Sequence, residues 1–410
     1  MTVTSDLAAP VVPQAGGPLG FTEIRAAATA MQPWLRERAS AIEAGRRLPE
    51  DVVDALKAAG AFRLNMPRTW GGPELTSMEQ IEVIEEYAKG DASVAWCVMI
   101  GCDGGLYTSW LDDAVGREMY PRLDMVQAGW VYPVGKAVRV DGGYEMSGHW
   151  MFGSGCQHAD WIGGGCWVYE SEDDAANGGP AVDWRVLLAP AASYDVLDAW
   201  YTTGLCGTGS TDYECSKLFV PEERTFSYVE PARRAGTLYA GNDTFLRKMS
   251  GIPLGMARAA IDDAVAMLEH KTERPSGQRY REMPRVQSAI AEAEMLLGAA
   301  RVYVFDSVRR IWDRYDAGEV PTTEERAAGW LSRTNAFQSA RQVVRLLYDV
   351  IGGSAVYGRQ TPFDRYLRDA ETMCQHVVGQ RKGLELVGAM LLDPTGQSLN
   401  PFLNAPAPAG

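Results

Sequence analysis

Apolar residues recur at helical spacing over the first third of the chain. From about Thr22, the stretch FTEIRAAATAMQPWLRERASAIEAGRR is rich in Ala, Arg and Glu and predicts a long helix. LPEDVVDALKAAGAF predicts a second. Glu50 and Asp51 suit its first turn, Val52, Leu56 and Ala59 share a face, and Gly60 supplies the stop. A loop dense in Gly and Pro, MPRTWGGPEL, comes next. Thr76 and Glu79 then have the spacing of a capping box for TSMEQIEVIEEYAKG. Asp91 is placed to cap the apolar segment ASVAWCVMIG.

The texture changes near Met125. As far as about Val229, helix formers thin out and Gly, Thr, Val and aromatic residues dominate. GKAVRVDGGYEMSGHWMF predicts two strands joined by a Gly-rich turn, and DWIGGGCWVYE, DWRVLLAP and CSKLFVP continue the run. Trp130, Trp150, Trp161, Trp167, Trp184 and Trp200 all fall here. The spacing predicts a compact all-β barrel or sandwich of about a hundred residues. From about Thr244 helical spacing returns, with four long candidates at 244–270, 283–315, 322–350 and 362–392 that read as an up-and-down bundle. The expected organisation is α+β: a tail over 1–20, a helical domain over 21–124, a β domain over 125–232, a helical bundle over 233–394 and a Pro-rich tail over 395–410. Strands and helices do not alternate, and neither GxGxxG after a strand nor GxxxxGK[ST] occurs. A doubly wound nucleotide-binding fold is therefore not indicated.

Charge narrows the partners. With 39 Lys and Arg against 53 Asp and Glu, the net charge is -14. Such a field repels nucleic acid and anionic membranes. No apolar run reaches the roughly 18 residues of a membrane span, and the N-terminus lacks a basic region followed by an apolar core. The seven Cys form no CxxC pair and read as reduced thiols, which favours a cytoplasmic setting. The four His make no HExxH, and no Cys/His cluster has metal-ligand spacing, so no metal is expected.

Several segments, in order along the chain, resemble the acyl-CoA dehydrogenase family. LPEDVVDALKAAGAFRLNMPRTWGGPELTSMEQIEVIEEYAKGDASVAW is similar to its N-terminal helical domain, and GGYEMSGHWMFGSG to the β segment that meets a flavin ring. GLCGTGSTDYECSKLFVPEER resembles the strand pair that ends the β domain, and IGGSAVY followed by PFDRYLRDAE the last stretch of the bundle. The resemblance implies an N-terminal helical domain, a central β-barrel, a C-terminal four-helix bundle, a homotetramer, and a flavin between the β domain and the bundle.

One departure matters. Where the commonest acyl-CoA dehydrogenases carry a catalytic Glu after the RDA segment, this chain reads MCQHVVG, and the position falls at His376. No carboxylate follows until Glu385. A His there, with FGSG and GTGS, resembles the two-component flavin-dependent monooxygenases of the fold. These take FADH2 or FMNH2 from a separate NAD(P)H flavin reductase. They activate O2 as a C4a-hydroperoxyflavin and hydroxylate aromatic or heteroaromatic small molecules, or amines. A dehydrogenase or oxidase with a displaced base is the alternative from another reaction class.

The resemblance assigns roles residue by residue. His376 is the candidate acid–base group, with an ordinary pKa near 6.5. Ser154 is a candidate donor near flavin N5. Trp130, Phe152, Gly155 and Ser210 border the flavin, Arg274, or else the nearby Arg279 or Arg281, contacts its phosphate, and Gly352 and Gly353 let the backbone approach the dinucleotide part of a flavin on a neighbouring subunit. Asp103, Trp130 and His376 line the substrate pocket. His149 and His158 flank the flavin segment on faces that strand alternation does not decide.

Overall fold

The computed structural model describes residues 19–227, 230–274 and 276–404. Most of the expected N-terminal tail, and the end of the C-terminal one, lie outside them. Helix α1 (Phe21–Gly45) buries Ile24, Ala28, Met31, Leu35 and Ile42 along one stripe. Helix α2 (Glu50–Ala58) stops before Gly60, whose φ of 77° suits glycine. Helix α3 (Ser77–Gly90) opens on the expected capping box. Thr76 Oγ1 accepts from Glu79 N at 3.2 Å, and Glu79 Oε2 accepts from Thr76 N at 2.8 Å. Such a cap stabilises by about 1 kcal/mol. Asp91 Oδ1 accepts from Ser93 N and Val94 N and starts α4 (Ala92–Gly101), which is apolar all round and buried accordingly. Two short helices, α5 (Gly104–Tyr107) and α6 (Asp113–Met119), lead to the sheet.

The β region forms one mixed sheet of β1 (Gln127–Val140), β2 (Gly143–Gly153), β3 (Trp161–Tyr169), β4 (Asp183–Pro190), β5 (Asp195–Val196), β6 (Thr211–Pro221) and β7 (Thr225–Ser227). The strand order is β5-β6-β2-β1-β3-β4-β7. Strands β1 and β2 form the expected hairpin, Val140 pairing with Gly143 around Asp141 and Gly142. Strands β1 and β3 run parallel, and helix α7 (Glu172–Asn177) lies between β3 and β4. The sheet curls on itself. Tyr213 on β6 is three strands from β3, about 14 Å away in a flat sheet. Its hydroxyl nevertheless donates to Gly163 O on β3 at 2.8 Å. The curl encloses Trp150, which stacks on Tyr213 at 5.4 Å and donates to Gly165 O at 3.0 Å. A Cβ at Gly135, Gly148 or Gly164 would collide with that indole, which accounts for glycine on three strands at once.

Helix α8 (Thr244–Arg247) leads through a tight turn into α9 (Gly251–His270), followed by α10 (Pro284–Asp316) and α11 (Thr323–Ile351). Residues of α1, α3 and α4 share one continuous core with α9, α10 and α11. The fourth long helix expected over 362–392 is two helices, α12 (Phe363–Met373) and α13 (Gly383–Leu392). Side chains of α11 impose the break. Thr334 Oγ1 donates to Val378 O at 3.0 Å, and Gln338 Nε2 donates to Gly379 O at 2.5 Å. A Cβ on Gly379 would lie 2.9 Å from the Phe337 ring. The Pro-rich stretch expected as a tail packs as far as Leu403, which is buried and whose carbonyl accepts from Arg326 Nε at 3.0 Å. No helix among the described residues is long and apolar enough to cross a membrane.

Candidate functional site

Three distant parts of the chain meet at Trp96. Helix α4 holds its indole in the helical core, where a buried N–H needs an acceptor. That acceptor is Ser154 Oγ, at 3.1 Å, just beyond β2. The chain turns sharply there. Phe152 has φ 61°, a left-handed conformation that costs an L-residue about 1–2 kcal/mol. Ser154 N donates to Phe152 O at 2.8 Å, and Gly155, at φ 73°, donates its N–H to Thr208 O at 3.1 Å. Phe152 is thereby left half exposed, its ring 6.0 Å from Trp130 and 6.3 Å from Trp200.

Beneath Ser154 the hydroxyls continue inward. Ser154 Oγ and Ser210 Oγ are 2.6 Å apart, and Ser210 Oγ and Thr208 Oγ1 2.7 Å. Thr208 Oγ1 donates to Leu205 O at 2.8 Å. The same carbonyl accepts from Thr208 N at 3.1 Å and from the Trp200 indole at 3.2 Å. All three hydroxyl-bearing residues are buried.

His376 lies in the break between α12 and α13 and sets its ring edge-on to Trp96, with centroids 5.5 Å apart. Part of its surface stays accessible. Protein nevertheless surrounds the imidazole closely enough for desolvation to push its pKa down to about 4. His376 is thus neutral at pH 7, where an unperturbed His would be partly charged. Val378 N donates to Nδ1 at 3.4 Å, which assigns the ring proton to Nε2.

The remaining expected residues make contacts of their own. Asp103 is buried and paired with Lys248, 2.5 Å from its Nζ, and accepts from Asn65 Nδ2 at 3.3 Å. Burial pushes its pKa up to about 6, against the opposing pull of Lys248. Its carboxylate is engaged in the packing of the helices. Arg274 is exposed in a turn after α9. Lys271 ties that turn to the end of α11 by donating to Ile351 O and Ser354 Oγ, so Arg274 and Gly352–Gly353 share one end of the bundle. No hydrogen bond joins either to Ser154 among the described residues. His149 is exposed beside Asp212 and Glu214, whereas His158 is enclosed, and desolvation lowers its pKa to about 4.

Trp96, Thr208 and Asp369 escaped sequence reading. The one available signal was an indole in an otherwise apolar segment. Asp369, on α12, backs the same loop by accepting Leu205 N–H at 2.6 Å. Burial first, then the nearby Asp91 carboxylate, push its pKa from 3.8 to about 7. Between those values the folded protein keeps a proton that the unfolded chain releases, so this group's contribution to stability falls as pH rises. Asp369→Asn keeps an oxygen for Leu205 and removes the titration. The Tm of the variant should gain on wild type from about pH 4 to about pH 7. Parallel Tm curves would contradict the shift.

A half-open aromatic face beside a buried hydroxyl suits a planar, largely apolar ring with polar edges, as in a flavin. The comparisons agree with that chemistry. Residues 23–118 match the N-terminal domain of acyl-CoA dehydrogenase, and 249–381 its C-terminal domain. A pigment production hydroxylase of Rhodococcus erythropolis is 30% identical over 83% of this chain and 89% of its own length. Indole-3-acetate monooxygenase of Pseudomonas putida is 29% identical over 87% of this chain and 90% of its own. The crystal structure of the HsaA monooxygenase of Mycobacterium tuberculosis superposes with a TM-score of 0.84 at 26% identity, covering 94% of this chain and all of that one. The chain belongs to the acyl-CoA dehydrogenase-like family, in the branch of the two-component flavin-dependent monooxygenases.

Proposed function

We propose that this chain hydroxylates an aromatic or heteroaromatic small molecule, using O2 and a reduced flavin, FADH2 or FMNH2, delivered by a separate reductase. The observation that carries this reading is the meeting of Ser154, Trp96 and a neutral His376 beside the open face of Trp130, Phe152 and Trp200. When bound, reduced flavin supplies the electrons that activate O2. The protein's own part is positioning, exclusion of water and proton handling. Trp130 and Phe152 offer the ring face, and Ser154, Gly155 and Ser210 the polar edge. The helices packed around Trp96 keep water from its inner side.

His376 is the proton acceptor. Desolvation disfavours its charged form, so at neutral pH its one ring lone pair, on Nδ1, is held only by the 3.4 Å contact from Val378 N and can be given up to a substrate proton. Accepting the hydroxyl proton of a phenol, or the N–H proton of an indole, makes the aromatic ring more nucleophilic. Asp103 and Lys248 bound the substrate side only through the helices that they join. A Cβ on Gly352 or Gly353 would meet nothing within 4 Å in this chain. That leaves room for a flavin held by a neighbouring copy, with Arg274 at the same end for its phosphate, in a homotetramer.

The test supplies purified protein with a flavin reductase, NADH, and 18O2, and offers phenols, indoles, amines and acyl-CoA in parallel. One 18O atom should appear in a ring-hydroxylated product. A hydroxylated product whose new oxygen comes from water and carries no label, or oxidation only of acyl-CoA, would overturn the proposal. Label on nitrogen of an amine substrate would move it to N-hydroxylation.

A further inference from the structure

The hydroxyl chain under Ser154 has a direction. At one end, the Trp96 indole N–H can only donate. At the other, the Leu205 carbonyl can only accept. Between them stand Ser154, Ser210 and Thr208, each with one hydroxyl proton. The four contacts, at 3.1, 2.6, 2.7 and 2.8 Å, all have hydrogen-bond length. Four protons are available, one from the indole and three from the hydroxyls. Only one assignment fills every contact: Trp96 donates to Ser154, Ser154 to Ser210, Ser210 to Thr208, and Thr208 to Leu205 O. Reversing any hydroxyl leaves two oxygens facing each other below 3 Å with no proton between them. In a buried site that loss is not made good by water.

The consequence falls on Ser154. Its proton points inward to Ser210, and one of its lone pairs takes the indole N–H. What it has left for a ligand is one lone pair, so it is an acceptor. A flavin changes character at N5 on reduction. The oxidised ring presents a lone pair there, and the reduced ring an N–H.

We infer that Ser210 and Thr208 are positioning residues that hold the Ser154 hydroxyl as an acceptor and so make the site select reduced over oxidised flavin. This reverses the donor role expected for Ser154 from sequence, and it rests on the reading that flavin binds at this face. The selectivity is built into proton order, not into shape. Trp96 sets the order from one end and is itself braced by the His376 ring.

The experiment measures dissociation constants of FAD and FMN, each oxidised and each reduced under anaerobic conditions, for the full chain. Wild type should hold the reduced form more tightly. In Ser210→Ala the Ser154 proton loses its inward acceptor and turns to the ligand. In Thr208→Val the order collapses one step further in, with the same result. Both variants should lower the ratio of oxidised to reduced dissociation constants by about 3- to 10-fold, the size of one hydrogen bond. Thr208→Ser keeps the hydroxyl and should keep the wild-type ratio. Should Ser210→Ala fail to fold, Thr208→Val and Thr208→Ser still decide the matter. If the variants weaken both redox forms equally, or wild type prefers oxidised flavin, the inference is overturned. If wild type binds neither flavin in either form, the reading of this face as a flavin site fails first.

Discussion

Replacing His376 by Ala should cut the hydroxylation rate by about 10²- to 10⁴-fold, the usual contribution of a positioned acid–base group. Reduced flavin should still bind within a few-fold of wild type, because the flavin-facing hydroxyls are anchored by Trp96 and Thr208. The His376 ring touches the Trp96 edge without hydrogen bonding to it. In the variant, electrons that reach O2 should leave as hydrogen peroxide in place of hydroxylated product. The measurement is product formed per NADH consumed, with reductase in excess. Unchanged coupling in the variant would remove His376 from the chemistry. The pH profile gives a second check. A folded-state pKa near 4 means that the imidazole stays neutral from pH 6 to pH 8. Hydroxylation should therefore be flat over that range as far as His376 is concerned, and should fall only as pH approaches 4. A loss of rate centred near 6.5 would mean that the ring is more solvated than its packing indicates.

The largest loss of stability should come from the buried pair Asp103–Lys248. Both side chains are almost wholly enclosed, and Nζ sits 2.5 Å from Oδ1. Lys248→Met removes the cation and leaves a carboxylate in the helical core, which typically costs about 3–5 kcal/mol. Asp103 is already pushed up to about 6 by burial with its partner present. Without Lys248 it should rise further and take up a proton near neutral pH, so the variant should regain stability as pH falls through that range. Asp103→Asn in the Lys248→Met background should recover part of the loss at pH 8. Urea unfolding of the three proteins at pH 6 and pH 8 measures both effects. A Lys248→Met protein as stable as wild type at pH 8 would show that the pair contributes nothing net.

What could be read from the sequence was chemistry that acts within three or four residues. The Thr76–Glu79 box, the Asp91 cap and the Gly60 stop each join a side chain to a backbone group next door, so spacing alone predicts them. The β1–β2 hairpin follows from the same local logic around Gly142. The break between α12 and α13 was not legible, because α11 imposes it. Thr334, Phe337 and Gln338 lie some forty residues before Val378 and Gly379. Over 362–392 alone, the local sign is Gly379-Gln380-Arg381-Lys382-Gly383, after which apolar spacing resumes at Leu384, and two glycines do not by themselves place a break. The site divides in the same way. Ser154, Ser210 and His376 could be singled out by resemblance, but their partnership depends on Trp96, whose indole reads as one more core aromatic. Asp103 could be singled out as a pocket candidate, but nothing near it in sequence announces its partner Lys248.

The curled sheet has a consequence for the behaviour of the protein at high concentration. A sheet recruits foreign strands through unpaired backbone groups along its outermost strands. Here the outermost strands are Asp195–Val196 and Thr225–Ser227, two and three residues long. The longer strands are interior to the order, but Asp195–Val196 covers Thr211–Pro221 only at Tyr213 and Glu214, and Thr225–Ser227 covers Asp183–Pro190 only from Arg185 to Leu187. The stretch of Thr211–Pro221 left open beyond Glu214 is interrupted at Lys217, whose φ of 48° and charge blunt it as a template for another strand. The apolar interior around Trp150 is thus kept from other chains by the curl of the sheet and by Lys217 on its open rim.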